Sequence, residues 1–157
     1  MATELLEVSI DIAAPPSRVW PVIADLRSMS RRSPQNRWTY TRGPVRRGSL
    51  LFNINRIGPL WVPTTSRVVT FDPGRKLAFT ILENRATWIY TLEPLDGGTR
   101  TRVVEQRRVP SGRTTRISRL LVKVAQGGNE RFEADLVAGM NQTLAALKAE
   151  IEAAAAP

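Results

Sequence analysis

Residues 68–79 read VVTFDPGRKLAF, and this stretch decides the fold. Val68 to Phe71 is β-branched and aromatic, the composition of a strand. Asp72-Pro73-Gly74-Arg75 is a turn by its own chemistry, because proline presets φ and glycine is free to take positive φ. Leu77, Phe79 and Ile81 then return at steps of two, on one face of a second strand. A link this short joins antiparallel neighbours.

The same period of two holds on both sides. Trp38-Thr39-Tyr40 is a short strand, closed by a turn over Gly43-Pro44 to Gly48. In the next strand Leu50, Phe52 and Ile54 alternate with Leu51, Asn53 and Asn55, and Gly58-Pro59 turns the chain into the long strand Trp61–Phe71. Beyond Ile81, Trp88, Tyr90 and Leu92 share a face, and Asp96-Gly97-Gly98 is a hairpin turn leading into Thr99–Val109. That makes six consecutive strands in an antiparallel meander.

A seventh strand lies at the N-terminus, where Leu6, Val8, Ile10 and Ile12 share a face. Ala14-Pro15-Pro16-Ser17 ends it and starts a helix with proline in the first turn, where the missing N–H costs nothing. Val19, Trp20, Val22, Ile23 and Leu26 give that helix its apolar face, and Pro34 stops any continuation. At the other end Asn129 is a suitable N-cap, and Glu130 and Glu133 suit the positive end of a helix running to about Ala153. Phe132, Leu136, Met140, Leu144, Leu147 and Ile151 form one stripe along it, the cover for the apolar face of the sheet. The expected class is α+β: a seven-stranded antiparallel sheet and a long C-terminal helix in a single domain over 1–157.

Composition narrows the chemistry. The 157 residues contain no histidine and no cysteine. That excludes a Ser-His-Asp triad, a thiolate nucleophile, a disulfide, and a zinc site built from imidazole or thiolate. No cofactor or metal is expected. The N-terminal stretch carries Glu4 and Glu7 where a secretory signal needs positive charge, and no apolar run approaches the roughly 20 residues of a membrane span. A cytoplasmic location is the expectation.

The net charge of +9 is concentrated. Residues 26–71 hold nine arginines and no acid, and residues 106–129 hold five arginines and one lysine with no acid. Such clustering favours an anionic partner. A bland explanation stands beside it: a GC-rich genome favours arginine over lysine without any selection for binding. In the second block Ile117, Leu120, Leu121 and Val124 recur at helical spacing, with Arg116, Arg119 and Lys123 on the other side. Residues 114–125 therefore read as a short basic amphipathic helix, followed by a Gly127-Gly128 hinge.

The order of elements and their punctuation resemble the START-like (SRPBCC) superfamily, in its bacterial polyketide cyclase/dehydrase and lipid-transport branch. The residues that carry the resemblance span nearly the whole chain. They are Ile12-Ala13-Ala14-Pro15-Pro16-Ser17-Arg18-Val19-Trp20 with Asp25-Leu26 and Ser33-Pro34, then Val68 through Phe79. Trp88-Ile89-Tyr90-Thr91-Leu92-Glu93-Pro94, Gly97-Gly98-Thr99-Arg100 and Leu144-Ala145-Ala146-Leu147-Lys148 complete them. These are turn and core motifs, specific for fold rather than for chemistry. The resemblance implies a helix-grip fold, in which a curved sheet wraps round the C-terminal helix and encloses a cavity.

Such a cavity would be lined by one face of each strand and the inner stripe of the helix. The candidates are Phe52 and Ile54, Trp61, Phe79 and Ile81, Trp88 and Tyr90 on the strands, and Phe132, Leu136 and Met140 on the helix. The same residues would serve simply to fill a core. For Trp61 the resemblance tips the balance, because it implies that the turn before it lies at the cavity mouth. If Arg100 and Arg102 face solvent, alternation turns Val103 and Glu105 inward. A buried carboxylate needs a partner, and Arg67 or Tyr90 could provide one. Glu105 would then orient a ligand or act as a general base with a raised pKa, with Tyr90 and Arg67 assisting. A half-exposed glutamate near a strand end is the plain alternative.

The resemblance also implies that the segment before the last helix lies beside the cavity entrance, at the same end as Arg31, Arg32, Arg37 and Arg85. With Arg107, Arg108, Arg113 and Arg116 these would form a basic collar. A collar round an apolar cavity suits an amphipathic anion such as a fatty acid, an acidic polyketide or a phospholipid head group. It equally suits docking on an anionic membrane, or the solvated outer face of a lid. The leading expectation is a binding or transport protein for a small hydrophobic, anionic ligand. A polyketide cyclase/dehydratase-type enzyme is the alternative. Nucleic-acid binding is disfavoured, since it needs aromatics interleaved with basic residues on an exposed surface and the aromatics are expected inside.

Overall fold

In the computed structural model, residues 4–110 and 129–155 are described. Strand β1 (Leu5–Ile12) is followed by helix α1 (Pro16–Ala24) and a 3-10 turn (Leu26–Arg31). The meander follows as β2 (Asn36–Thr41), β3 (Leu50–Ile57), β4 (Leu60–Asp72), β5 (Lys76–Ile81), β6 (Thr87–Leu95) and β7 (Arg100–Arg108). Helix α2 (Asn129–Ala155) ends the described chain. All seven strands form one antiparallel sheet in the order β1-β7-β6-β5-β4-β3-β2, so β1 returns to pair with the last strand. This is the helix-grip architecture expected from the sequence. The expected helix over 114–125 lies outside the described residues.

Turn chemistry works as the sequence suggests. Gly58 takes φ 57° as the first of two loop residues between Ile57 and Leu60, a position that glycine fills without strain and that suits the strand twist. At Asp72–Arg75, Gly74 takes φ 77° and the Arg75 N–H donates to the Asp72 carbonyl at 3.0 Å. Two bulges, at Asn36/Trp38 in β2 and at Val68/Thr70 in β4, add the local twist that lets the sheet curl.

The curled sheet grips α2. Leu144, Leu147 and Ile151 on the C-terminal half of the helix are buried with Ile12, Val19, Ile23, Leu77, Leu92 and Val103. Each such side chain contributes about 1.5–3 kcal/mol on burial. Polar contacts fix the helix along its axis. Lys148 Nζ donates to the Asp11 carbonyl at 2.7 Å, and Glu152 Oε1 accepts the Ala13 N–H at 2.9 Å. Among the described residues no helix is long and apolar enough to cross a membrane.

One ion pair ties the 3-10 turn to this helix. The Arg32 side chain, only 4% exposed, donates through Nε to Glu150 Oε2 at 2.8 Å and through Nη2 to Oε1 at 3.1 Å. A buried guanidinium depends on such a fork-to-fork partner. Glu150→Ala should lower stability by about 1–3 kcal/mol in urea unfolding. Adding Arg32→Met should recover much of that loss, because an apolar chain of similar volume leaves no buried charge. Equal losses in the single and double variants would show that the pair does not hold the turn.

Candidate functional site

Beyond Met140, towards the N-terminus of α2, the helix no longer meets a filled core. It roofs a cavity of about 300 Å³, at the lower end of the range for small-molecule sites. Phe132, Leu136, Gly139, Met140 and Thr143 line it from the helix, one face of β2 to β7 supplies most of the rest, and Leu26, Met29 and the segment 33–35 before β2 contribute as well. At Gly139 the helix comes close to the chain before β2, where a Cβ would just touch the Pro34 ring at 3.4 Å. Pro34 and Glu83, lining residues that are also exposed, mark the mouth.

Two walls of different chemistry face each other. One is aromatic and aliphatic: Phe79 and Ile81 on β5, Trp88 and Tyr90 on β6, and Phe132 on the helix. The other is a ladder of amides and hydroxyls across β2, β3 and β4. Asn36 Nδ2 donates to Asn55 Oδ1 at 3.2 Å, and Asn55 Nδ2 reaches Thr64 Oγ1 at 3.0 Å and the Val62 carbonyl at 3.2 Å. Thr39 Oγ1 lies 3.1 Å from Asn36 Oδ1 and 3.0 Å from Asn53 Oδ1, and Asn53 Nδ2 donates to Ser66 Oγ at 2.9 Å. The bulge at Asn36/Trp38 is what turns Asn36 and Thr39 to the same face. Mutual bonding holds these side chains in place while their remaining lone pairs and protons border the cavity.

At the β6–β7 side the register sets Tyr90 opposite Glu105 and Trp88 opposite Arg107. Glu105 is 2% exposed. The Tyr90 hydroxyl donates to its Oε1 at 2.8 Å, while Oε2 is buried with no partner among the described residues. Burial pushes the Glu105 carboxyl up to about 8, only partly opposed by the Tyr90 bond. Burial first, and then the neighbouring carboxyl, push the Tyr90 phenol well above its ordinary range. At neutral pH Glu105 is therefore a neutral acid with a proton to offer at the cavity wall. Arg107 is buried beside it, its guanidinium carbon 5.9 Å from the Phe132 ring centroid. Desolvation lowers its pKa, and Glu133 works the other way. No group of acidic side chains among the described residues could hold a metal ion.

Measured against the expected site, Phe79, Ile81, Trp88, Tyr90, Phe132, Leu136 and Met140 line the cavity, and Glu105 faces inward with Tyr90 as its partner. Four assignments need correction. Phe52 and Trp61 point outward and are 50% and 60% exposed. Ile54 shares their face, opposite Trp38 and Pro63, and Arg67 is exposed opposite Leu50 and Thr80, away from Glu105. For Phe52 and Ile54 the reason lies in the patterning of β3, and Trp61 and Arg67 follow by register, opposite Arg56 and Leu50 on its outer face. Hydrophobic patterning makes the apolar face of β3 the inner one, but here the inner face borders a polar wall, and Asn53 and Asn55 occupy it.

The basic collar is also redistributed. Arg32 is buried against Glu150, and Arg107 lines the cavity itself. Arg31, Arg37, Arg85 and Arg108 are exposed but do not line the cavity, and Arg113, Arg116, Arg119 and Lys123 lie outside the described residues. The ladder of Asn36, Thr39, Asn53, Asn55, Thr64 and Ser66 escaped the sequence reading. Its signal was present: asparagine is depleted in strands, yet in the β3–β4 hairpin Asn53 lies opposite Thr64, with Ser66 diagonal to Asn53 and Thr64 diagonal to Asn55.

The shifted carboxyl makes stability depend on pH. The folded Glu105 keeps its proton up to about 8, whereas an ordinary glutamate releases it near 4.5, so the folded state binds the extra proton in that interval. Stability from this group is complete below about 4.5, falls as pH rises through the interval, and levels off above about 8. Glu105→Gln should abolish this slope, so that the wild-type and variant urea midpoints diverge as pH rises. Parallel profiles would mean that the carboxyl ionises normally.

Comparison with known proteins fits this geometry. No curated protein sequence matches the chain. Among solved structures, the ZhuI aromatase/cyclase from Streptomyces sp. R1128 superposes with a TM-score of 0.75 at 21% identity, covering 94% of this chain and 93% of that one. The protein TTHA0849 from Thermus thermophilus superposes at 0.72 with 16% identity, covering 97% and 99%. A Polyketide_cyc-like protein, Cgl2372 from Corynebacterium glutamicum, is 25% identical over 94% of this chain and 91% of that one, with a TM-score of 0.59. The family model for polyketide cyclase / dehydrase and lipid transport matches residues 4–152. With nearly its whole length matched, the chain belongs to the polyketide cyclase/dehydrase and lipid-transport family, with its ligand-binding helix-grip fold.

Proposed function

We propose that this protein binds a small, largely apolar molecule carrying several oxygen functions, polyketide-like rather than a simple acyl chain. The observation that carries this reading is the pairing of an amide-hydroxyl ladder with an aromatic wall across one cavity. A saturated chain would leave the ladder's remaining hydrogen-bonding groups unanswered, whereas carbonyl and hydroxyl groups satisfy them. Phe79, Trp88 and Phe132 offer faces to a flat or conjugated body. Glu105 donates its proton to an oxygen of the ligand, and Arg107 favours oxygens that carry partial negative charge. Because Glu133 offsets Arg107, the interior suits a neutral or weakly anionic ligand better than a strongly charged one.

A second reading, an enzyme of the cyclase or dehydratase type, draws on Glu105. A carboxylic acid that stays protonated near neutral pH, with one unpartnered oxygen at the cavity wall, is suited to protonate a leaving hydroxyl or hold an enolising carbonyl. The aromatase/cyclase named among the structural neighbours is consistent with it.

The first reading is tested by competition. Quenching of tryptophan fluorescence should give a hydroxylated anthraquinone at least about tenfold tighter binding than palmitate. Thr64→Val and Asn53→Leu, with folding checked by circular dichroism, should each weaken the anthraquinone by about five- to tenfold and leave palmitate unchanged. Equal or tighter binding of palmitate would overturn the polyoxygenated ligand. Turnover of a bound linear poly-β-ketone that is lost in Glu105→Gln, with binding retained, would favour the enzyme.

A further inference from the structure

The outer face of β2, β3 and β4 carries an arrangement that the cavity does not use. Trp38 and Tyr40 on β2, Phe52 on β3 and Trp61 on β4 leave 53, 49, 50 and 60% of their surface in water. Tyr40 lies opposite Phe52, and Arg56 opposite Trp61. The Trp38 and Tyr40 rings stack at 5.8 Å, and the Arg56 guanidinium sits 5.3 Å from the Trp61 ring. Leu50, Val69 and Leu82 are further exposed apolar residues on these strands and at the end of β5. Arg37, Arg42, Arg46, Arg47 and Arg67 are exposed in the same acid-free block of sequence. Glu83 is a carboxylate at the margin, where it accepts the Thr65 N–H at 2.8 and 3.0 Å.

We propose that this face docks the protein on an anionic lipid bilayer. Amphipathic rings and aliphatic side chains gain by entering the boundary between head groups and acyl chains. Arginines pair with lipid phosphates, and no acid within residues 26–71 opposes them. A second copy of the chain is a poorer partner, because a two-fold contact would set this arginine-rich surface against itself. Single-stranded nucleic acid is also poorer. It calls for a groove and free ring faces, whereas this is the convex side of the sheet, and Trp38, Tyr40 and Trp61 each have one face already covered. None of the four rings lines the cavity. Trp61 adjoins the Ile57–Leu60 hairpin, whose Ile57 does, so the docked face runs up to the cavity wall. The docking stands independently of what the cavity holds.

The test is co-sedimentation of the full chain with mixed phosphatidylglycerol–phosphatidylcholine vesicles. Binding should be accompanied by a blue shift of tryptophan emission, and should be lost with phosphatidylcholine alone or at high salt. The triple variant Trp38→Ser/Phe52→Ser/Trp61→Ser should bind at least about tenfold more weakly. Arg42→Gln with Arg56→Gln, which spares the rings, should weaken binding by about tenfold and decides the matter if the triple variant does not fold. Arg116→Gln/Arg119→Gln/Lys123→Gln should retain binding within a few-fold. The proposal is overturned if vesicles are not bound, if only the 116/119/123 variant loses binding, or if an oligothymidylate is bound in preference to the vesicles.

Discussion

The stripe of Leu136, Met140, Leu144, Leu147 and Ile151 is the apolar surface that α2 presents to the concave face of a seven-stranded sheet. A helix is about 10 Å across with its side chains, and seven strands spaced near ~4.8 Å are far wider. Curling the sheet reduces the mismatch but does not remove it. The strands nearest the helix, β1 and β7, and the packed helix α1 close tightly over Leu144, Leu147 and Ile151. The strands on the far side, β2 to β4, are left bordering space. The cavity follows from this geometry, and the two ends of α2 accordingly do different work.

That division explains why the polar groups sit where they do. A void beside an apolar wall stays dry and empty, at a cost in lost dispersion contacts. The amide-hydroxyl ladder instead gives the far wall bonds within itself, so β2, β3 and β4 are cross-linked through side chains where the long helix α2 does not close over them. Glu105 represents the opposite choice, a carboxyl placed where only its neutral form is comfortable. Its second oxygen is left without a partner at the cavity wall, a deficit that an occupant can relieve.

The sequence was a good guide to everything governed by local chemistry. The Asp72–Arg75 turn, the Gly58-Pro59 hairpin, the inward face of β7 and the stripe of α2 could all be assigned from residue type and period. The inward turn of Glu105 followed from alternation, whereas its partner was left between Arg67 and Tyr90, and the structure supplies Tyr90. What failed was the sign of β3. Period two states that Phe52 and Asn53 face opposite ways, not which way each faces, and the usual rule places the apolar one inside. That rule presumes a filled core. Arg32 and Arg107 failed for a related reason: charge counted along the chain does not reveal which guanidinium finds Glu150 and which borders the cavity.

The inversion of β3 has a consequence for its outer face. Once the polar set is committed to the cavity, register requires Phe52, Ile54 and their neighbours on β2 and β4 to face away from it. Register does not require those positions to be aromatic, and serine or threonine would fit a solvated sheet at less risk. Exposed aromatics next to β2, an edge strand, invite edge-to-edge association. Arg37 and Arg42 on and beside that strand counter it by charge. A surface that is both hazardous and guarded is poorly explained by solubility, which either feature alone would serve better. It is well explained by a partner that is apolar and anionic together, for which rings and arginines are both needed on one face.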